Sequence, residues 1–152
     1  MNMKICFTSS SGGHFEQLMA LKPLMNKYNS FVVTERTKYS NDIGIRGYSV
    51  MQVNRKSFSF PFIFFLNTLK SVAILVKEKP DAIVCTGVLA TIPICILGKI
   101  MGSKIIYIES YAKVSSPTQT GKLIYKFADR FYVQWKSMLK IYPKARYVGG
   151  IY

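Results

Sequence analysis

Short β-rich apolar runs alternate with helix-period segments along this chain. Each change of period coincides with a turn of small residues, a proline or a charged loop. Met3 to Thr8, Ser30 to Thr34, Tyr48 to Val53, Asp81 to Cys85, Lys104 to Ile108 and Arg130 to Gln134 read as strands, with Arg146 to Val148 as a seventh candidate. Between them, Phe15 to Lys27 carries apolar residues at helical spacing (Phe15, Leu18, Met19, Leu21, Met25), interrupted at Pro23. An aromatic segment after Ser57 ends near Lys79-Pro80, and Leu89 to Met101 and Thr118 to Phe127 complete the helices. A strand that returns to the same sheet through a helix pairs in parallel, so the pattern predicts a parallel sheet with helices on both faces.

The predicted fold class is therefore α/β, a doubly wound, Rossmann-like parallel sheet. The 152 residues fit a single domain over 1–152 and show no repeat, linker or low-complexity stretch. Ligands of such sheets bind outside the carboxyl ends of the strands. That rule selects four places: Ser9 to His14, Glu35 to Lys38, Thr86-Gly87, and Glu109 to Ser116.

Composition narrows the partners. About half the chain is apolar (49%), enough for a core. Twenty-one Lys and Arg against 7 Asp and Glu leave +14, which demands an anionic partner: a nucleic acid, an acidic membrane surface or a phosphorylated ligand. No helix-turn-helix, finger or RNA-recognition signature accompanies the charge, so no nucleic acid is expected. Cys6, Cys85 and Cys95 are odd in number and lack metal spacing, and Cys6 and Cys85 fall in strand-like runs; they read as buried hydrophobes. Met1-Asn2-Met3-Lys4 leads straight into a strand and is too short for a signal peptide with an apolar stretch, so a cytoplasmic protein is expected.

Two segments compete as membrane spans. Ala82 to Gly98 is uncharged for 17 residues but contains Thr86-Gly87 and Pro93, so it divides into a strand, a turn and a helix. Ser57 to Val76 carries Phe58, Phe60, Phe62, Phe64 and Phe65, interrupted by Asn67 and Lys70. On a helical wheel Asn67, Lys70, Ser71, Lys77 and Glu78 make one narrow polar stripe, and nearly everything else is apolar. A helix lying on a sheet needs one apolar side; this one has enough for two. The surplus is expected to meet a membrane or a partner, with Arg55, Lys56, Lys70, Lys77 and Lys79 as basic flanks for lipid head groups. The alternative is a helix buried between sheet and loops.

Ser9-Ser10-Ser11-Gly12-Gly13-His14 is the sharpest local signal. It lacks the lysine of a phosphate-binding P-loop and the spacing of a dinucleotide site. What remains is a glycine turn at a helix start that suits a diphosphate, with Ser10, Ser11, Gly12 and Gly13 as contacts and an imidazole beside it. His14, the only histidine, is a candidate general base or a donor to phosphate or sugar; a structural role is its alternative. Glu109 ends an apolar strand and is expected at the mouth of the site as a second candidate base, or else in an ion pair. Gly87, Ser110 and Lys113 supply further candidate contacts, as do Arg36 and Lys38 unless they form a solvated loop. No carboxylate pair, Ser-His-Asp or Cys-His set, metal cluster or cofactor motif stands out, so no metal and no cofactor are expected.

Ser10 to His14 resembles the glycine-rich first loop of the N-terminal half of GT-B glycosyltransferases such as MurG. Tyr107-Ile108-Glu109-Ser110, then Gly121-Lys122-Leu123-Ile124-Tyr125, Ala128 to Trp135, and Tyr142 to Gly150 resemble the Alg14 family with its bacterial relatives of the PssD and CpsF type. The resemblance covers nearly the whole chain in order. It implies the N-terminal-type half of a split GT-B glycosyltransferase, which holds the membrane and a lipid-linked acceptor. A separate small subunit of the Alg13, PssE or CpsG type then supplies the UDP-sugar site. Bacterial members build capsule or exopolysaccharide on a polyprenyl diphosphate carrier; eukaryotic members act in dolichol-linked oligosaccharide synthesis and usually begin with a membrane-spanning helix. The expected place is the cytoplasmic face of the membrane, held peripherally. Lys113 stands where the family commonly has arginine, keeping charge and losing the bidentate fork. Gly150 stands where relatives often have arginine as well. A subunit without catalytic residues, serving as anchor and enhancer of its partner, is the alternative reading.

Overall fold

The computed structural model describes residues 3–36 and 44–152. Lys38, one of the candidate basic contacts, lies outside the described residues. In chain order the elements are β1 (Lys4–Ser9), α1 (Gly13–Met19), α2 (Lys22–Lys27), β2 (Asn29–Glu35), β3 (Gly47–Val50), α3 (Phe60–Glu78), β4 (Ala82–Cys85), α4 (Ile92–Ile100), β5 (Lys104–Ile108), α5 (Gln119–Ile124), β6 (Arg130–Val133) and β7 (Arg146–Tyr147). The strands form one seven-stranded sheet in the order β3-β2-β1-β4-β5-β6-β7, every pair parallel. The order reverses between β1 and β4, which makes that junction the topological switch point. The predicted doubly wound α/β sheet is the observed one.

Alternate residues of each strand point to opposite faces, and two cores result. Ile5, Phe7, Val32 and Val84 pack with Leu18 of α1 and Met25 of α2. Cys6, Phe31, Ile83, Cys85, Ile105 and Tyr107 pack on the other face with Leu75 of α3 and with Ile94 and Cys95 of α4. All three cysteines are buried and free.

Several boundaries differ from the sequence reading, each for a local reason. Phe15 to Lys27 is two helices, and Pro23 sits in the first turn of α2, where its missing N–H removes no helical bond. The third strand stops at Val50, because the Asn67 side chain takes over the next backbone groups: Met51 N–H donates to Asn67 Oδ1 at 2.9 Å, and Asn67 Nδ2 donates to the Met51 carbonyl at 2.8 Å. The helix expected over Thr118 to Phe127 ends at Ile124.

Helix α3 is inverted. Of the polar stripe, Asn67, Ser71 and Glu78 are buried, whereas Phe62 (66% exposed), Phe65 (57%), Leu69 (50%), Val72 (38%) and Val76 (54%) face outward at spacings of three and four residues. Phe58, just before the helix, is fully exposed; Phe60 and Phe64 are half-buried against each other, ring centroids 5.7 Å apart. By length and composition α3 suffices to cross a bilayer, but its polar stripe is tied to the domain. Besides Asn67, Glu78 accepts from Lys4 at 3.3 Å, from Arg46 at 3.0 Å and from the Tyr48 hydroxyl. A fully buried α3 is therefore excluded, and the surplus apolar face lies open.

Burial by itself would raise the Glu78 pKa. The Tyr48 hydroxyl, the Lys4 ammonium and the Arg46 guanidinium outweigh it, and the carboxyl sits below its usual value. A carboxyl lowered in the folded state contributes stability that is present above its unfolded pKa and is lost as pH falls through the folded one. Chemical unfolding at neutral and acidic pH should therefore show wild-type stability falling with acid, and Glu78→Gln should be less stable at neutral pH with a shallower acid loss.

Candidate functional site

The loops that follow β1 and β4 meet at the switch point. A Cβ built at Gly87 would lie 2.8 Å from Ser10 N and 3.1 Å from His14 Cβ, so only glycine admits this approach. Gly12 begins the turn into α1 with φ of +72°, a left-handed conformation that side chains resist. His14 is half-buried beside this junction, and its Nδ1 lies 2.8 Å from the Thr86 carbonyl oxygen. A carbonyl only accepts, so Nδ1 carries the proton and Nε2 of the neutral ring keeps its lone pair. The Thr86 hydroxyl returns a hydrogen bond to the His14 carbonyl at 2.9 Å, which closes a two-bond clasp between β4 and α1.

Glu35, at the end of β2, holds the glycine turn from beneath. Its Oε2 accepts from Ser11 N at 3.1 Å and from Ser11 Oγ at 2.8 Å, and its Oε1 from Val53 N at 3.4 Å. Ser11, expected to present donors to a diphosphate, instead gives both to a buried carboxylate of the protein itself. Ser10 is also buried, with its backbone against Gly87. Sequence reading placed Glu35 only at the start of a charged loop. The available signal was an acidic residue closing an apolar strand at one of the four selected places.

The expectation for Glu109 is corrected. It is not at the mouth of the crevice: it is 1% exposed, and its carboxylate is filled by donors. Oε1 accepts from Ser110 N (2.9 Å) and Thr118 Oγ1 (2.9 Å), and Oε2 from Thr118 N (3.2 Å) and Tyr142 Oη (3.0 Å). A Cβ at Gly121 would lie 2.2 Å from Oε2. Burial, then the Glu109 charge and its hydrogen bond, push the Tyr142 phenol well above its usual pKa. A general base must reach the proton it removes, and Glu109 is enclosed instead as the anchor of the β5 loop, the α5 start and Tyr142. Its partners were the sequence's own polar residues, but no local spacing pairs position 109 with positions 118 and 142.

Ser110 is buried in this anchor, and Lys113 follows in the same loop, its N–H donating to the Ser110 carbonyl at 3.0 Å. Gln134, also missed in the sequence, joins the anchor to the first helix. Its Nε2 donates to the Glu109 carbonyl (2.9 Å) and to Gln17 Oε1 (3.1 Å), and its Oε1 accepts from Ile151 N (2.9 Å). Tyr111 packs with Trp135 and Tyr152, which places Gly150 so that a Cβ there would be 3.2 Å from the Tyr111 ring. Arg36 is not brought to the switch point; it is exposed and lines a separate pocket with Lys70. Among the described residues no group of three or more His, Cys, Asp and Glu gathers to hold a metal.

Residues 49–151 match the family described as "Oligosaccharide biosynthesis protein Alg14 like". The chain is 30% identical to the UDP-N-acetylglucosamine transferase subunit alg14 of Schizosaccharomyces pombe, over 91% of this chain and 79% of that one. It is 26% identical to the UDP-N-acetylglucosamine transferase subunit ALG14 of Homo sapiens, over 99% and 83%. In fold it superposes on MurG of Acinetobacter baumannii with a TM-score of 0.72 at 16% identity, over 89% of this chain and 42% of MurG. A UDP-N-acetylglucosamine 2-epimerase from Rickettsia bellii gives 0.75 at 15% identity, over 99% and 46%. The chain spans less than half of either solved structure. These likenesses bear out the expected half of a GT-B fold, and the epimerase shows that the fold alone does not choose the reaction.

As an anchor, Glu109 should be costly to remove: Glu109→Ala should lower unfolding free energy by about 3 kcal/mol, the cost of orphaning several buried donors. Denaturant unfolding measures it; a change within about 0.5 kcal/mol would overturn the anchoring role.

Proposed function

We propose that this chain, which belongs to the Alg14-like family and is thereby a glycosyltransferase subunit, forms the acceptor-side half of an inverting enzyme. In this reading residues 1–152 act as one domain. A small partner subunit of the Alg13 type presents a UDP-sugar, and a polyprenyl-diphosphate-linked saccharide is the acceptor, as in capsule or exopolysaccharide assembly. The observation that carries it is His14, held at the switch point with Nε2 free to accept a proton. As the acceptor hydroxyl attacks the anomeric carbon, Nε2 takes its proton; the new glycosidic bond forms, UDP leaves with the bonding pair, and the configuration inverts. Gly12 and Gly13, with open space where a side chain would stand, leave room beside His14 for the acceptor diphosphate, and Lys113 is assigned to the same acceptor side.

The sheet supports the partner's place. Helices α1 and α2 cover only the β1, β2 and β4 part of one face. Beyond them lies an open groove of about 450 Å³ lined by Leu21, Leu24, Ile106, Ile108, Tyr132 and Val148. An apolar groove of this kind suits the other half of the enzyme.

The inverted α3 supports a peripheral membrane position. All strands are parallel, so the chain leaves β3 at the carboxyl edge, and α3 starts from that same edge and runs back towards β4. Phe58, Phe62 and Phe65 therefore lie at the crevice end, where a lipid-linked acceptor would arrive. Lys56 and Lys70 flank them for acidic head groups.

Sugar transfer should be measured with the partner subunit and a lipid-linked acceptor. His14→Ala should lower kcat by about 10²–10⁴ with a smaller change in KM. Undiminished turnover would leave this subunit as a non-catalytic anchor and enhancer. The combined variant Phe62→Ser, Phe65→Ser, Leu69→Ser should release the protein from anionic vesicles while preserving transfer to a short-chain soluble acceptor; unchanged co-sedimentation would remove α3 from the membrane face.

A further inference from the structure

A pocket of about 340 Å³ opens at the carboxyl edge of β2 and β3, lined by Arg36, Ser49, Val50, Met51, Gln52 and Lys70. Its floor is fixed. The Arg36 N–H donates to the Val50 carbonyl at 2.9 Å, and Asn67 clasps Met51 from both sides, which also sets the angle of α3 and hence of Lys70. Among the described residues no carboxylate lines this pocket, and neither Arg36 nor Lys70 enters an ion pair. Glu35, a carboxylate next to Arg36 in sequence, points its oxygens at Ser11 and Val53 instead. Two cations without an ion pair among the described residues, and the polar side chains of Ser49 and Gln52, thus line one concavity.

Its position is as informative as its content. Lys70 follows Leu69, a member of the exposed apolar stripe of α3, so the pocket borders the surface formed by Phe62, Phe65 and Leu69. A guanidinium fork matches two oxygens of a phosphate, while an ammonium adds a point charge. A phosphate held beside an apolar stripe is the arrangement of a lipid at a bilayer surface, with its acyl chains along the stripe and its head group in the polar notch.

We propose that the Arg36–Lys70 pocket seats the phosphate of an anionic phospholipid head group, fixing the angle at which the crevice meets the bilayer. The proposal rests on the reading that α3 faces the membrane. It assigns Arg36 to the bulk lipid rather than to the acceptor diphosphate.

Vesicle co-sedimentation tests it with the full chain. The vesicles are phosphatidylcholine alone, phosphatidylcholine with phosphatidylglycerol, and phosphatidylcholine with a polyprenyl diphosphate. Arg36→Gln with Lys70→Gln should reduce partitioning onto phosphatidylglycerol vesicles about thirtyfold. Arg55→Gln with Lys56→Gln removes the same charge from the segment that precedes α3, outside the pocket, and should cost several-fold less. Arg36→Lys keeps the charge and loses the fork, so a built site predicts a drop that diffuse attraction does not. Equal losses from the two double variants, together with no effect of Arg36→Lys, would overturn the pocket while leaving the membrane reading intact. Dependence on Arg36 and Lys70 only with the polyprenyl diphosphate would also overturn it and return the pocket to the acceptor. Failure of the wild-type chain to bind any vesicle would overturn the membrane reading itself. Matching thermal unfolding midpoints show that the variants remain folded.

Discussion

Glu35, Glu78 and Glu109 lie buried with their oxygens filled by the protein's own donors, and the loops and helix that frame the crevice hang from them. Glu35 ties the glycine turn to β2, Glu78 ties the end of α3 to Lys4, Arg46 and Tyr48, and Glu109 ties the β5 loop to α5 and Tyr142. Asp81 and Asp129 repeat the device at the other edge, accepting from the backbone N–H groups of Lys4 and Ile105. A carboxylate that accepts several N–H bonds is a strong clamp for irregular backbone, where no ladder is available. It also shapes the outer field: the net +14 already counts the 7 carboxylates, and most of these are held in clamps rather than spread among the surface cations.

That charge and the inversion of α3 belong together. A helix normally turns its polar residues outward. Here Asn67, Ser71 and Glu78 turn inward because each has a partner in or beside the sheet or in the helix backbone: Met51, the Asn67 carbonyl, and the Lys4–Arg46–Tyr48 group. Five large apolar side chains are left outside as a consequence. An apolar stripe bordered by cations complements an acidic bilayer surface on both counts.

Much of this was legible in the chain. Six of the seven strands follow from β-rich apolar runs bounded by turn residues, and the parallel topology follows from their alternation with helices. The turns at Ser10 to His14 and at Thr86-Gly87 were visible as places for a ligand at strand carboxyl ends, but not as two loops packed on each other. The partners were not. Nothing local in the sequence connects His14 with Thr86, Ser11 with Glu35, or Glu109 with Thr118 and Tyr142, because these bonds span from nine to over seventy positions and exist only once the strands are ordered.

By itself the sequence determined the fold class, the carboxyl-end location of the crevice, the cationic field and the apolar excess of one helix, since these depend on periodicity, composition and turn chemistry. The tertiary structure decided which of the candidate residues stand free and which are consumed. The Thr86 carbonyl occupies Nδ1 of His14, so Nε2 is the nitrogen left to accept, and no described residue bonds it. Glu109, alike in being polar at a strand end, is enclosed because neighbouring loops bring their donors to it. Whether a side chain acts or anchors depends on what fills its hydrogen-bonding capacity, and only the assembled sheet sets that.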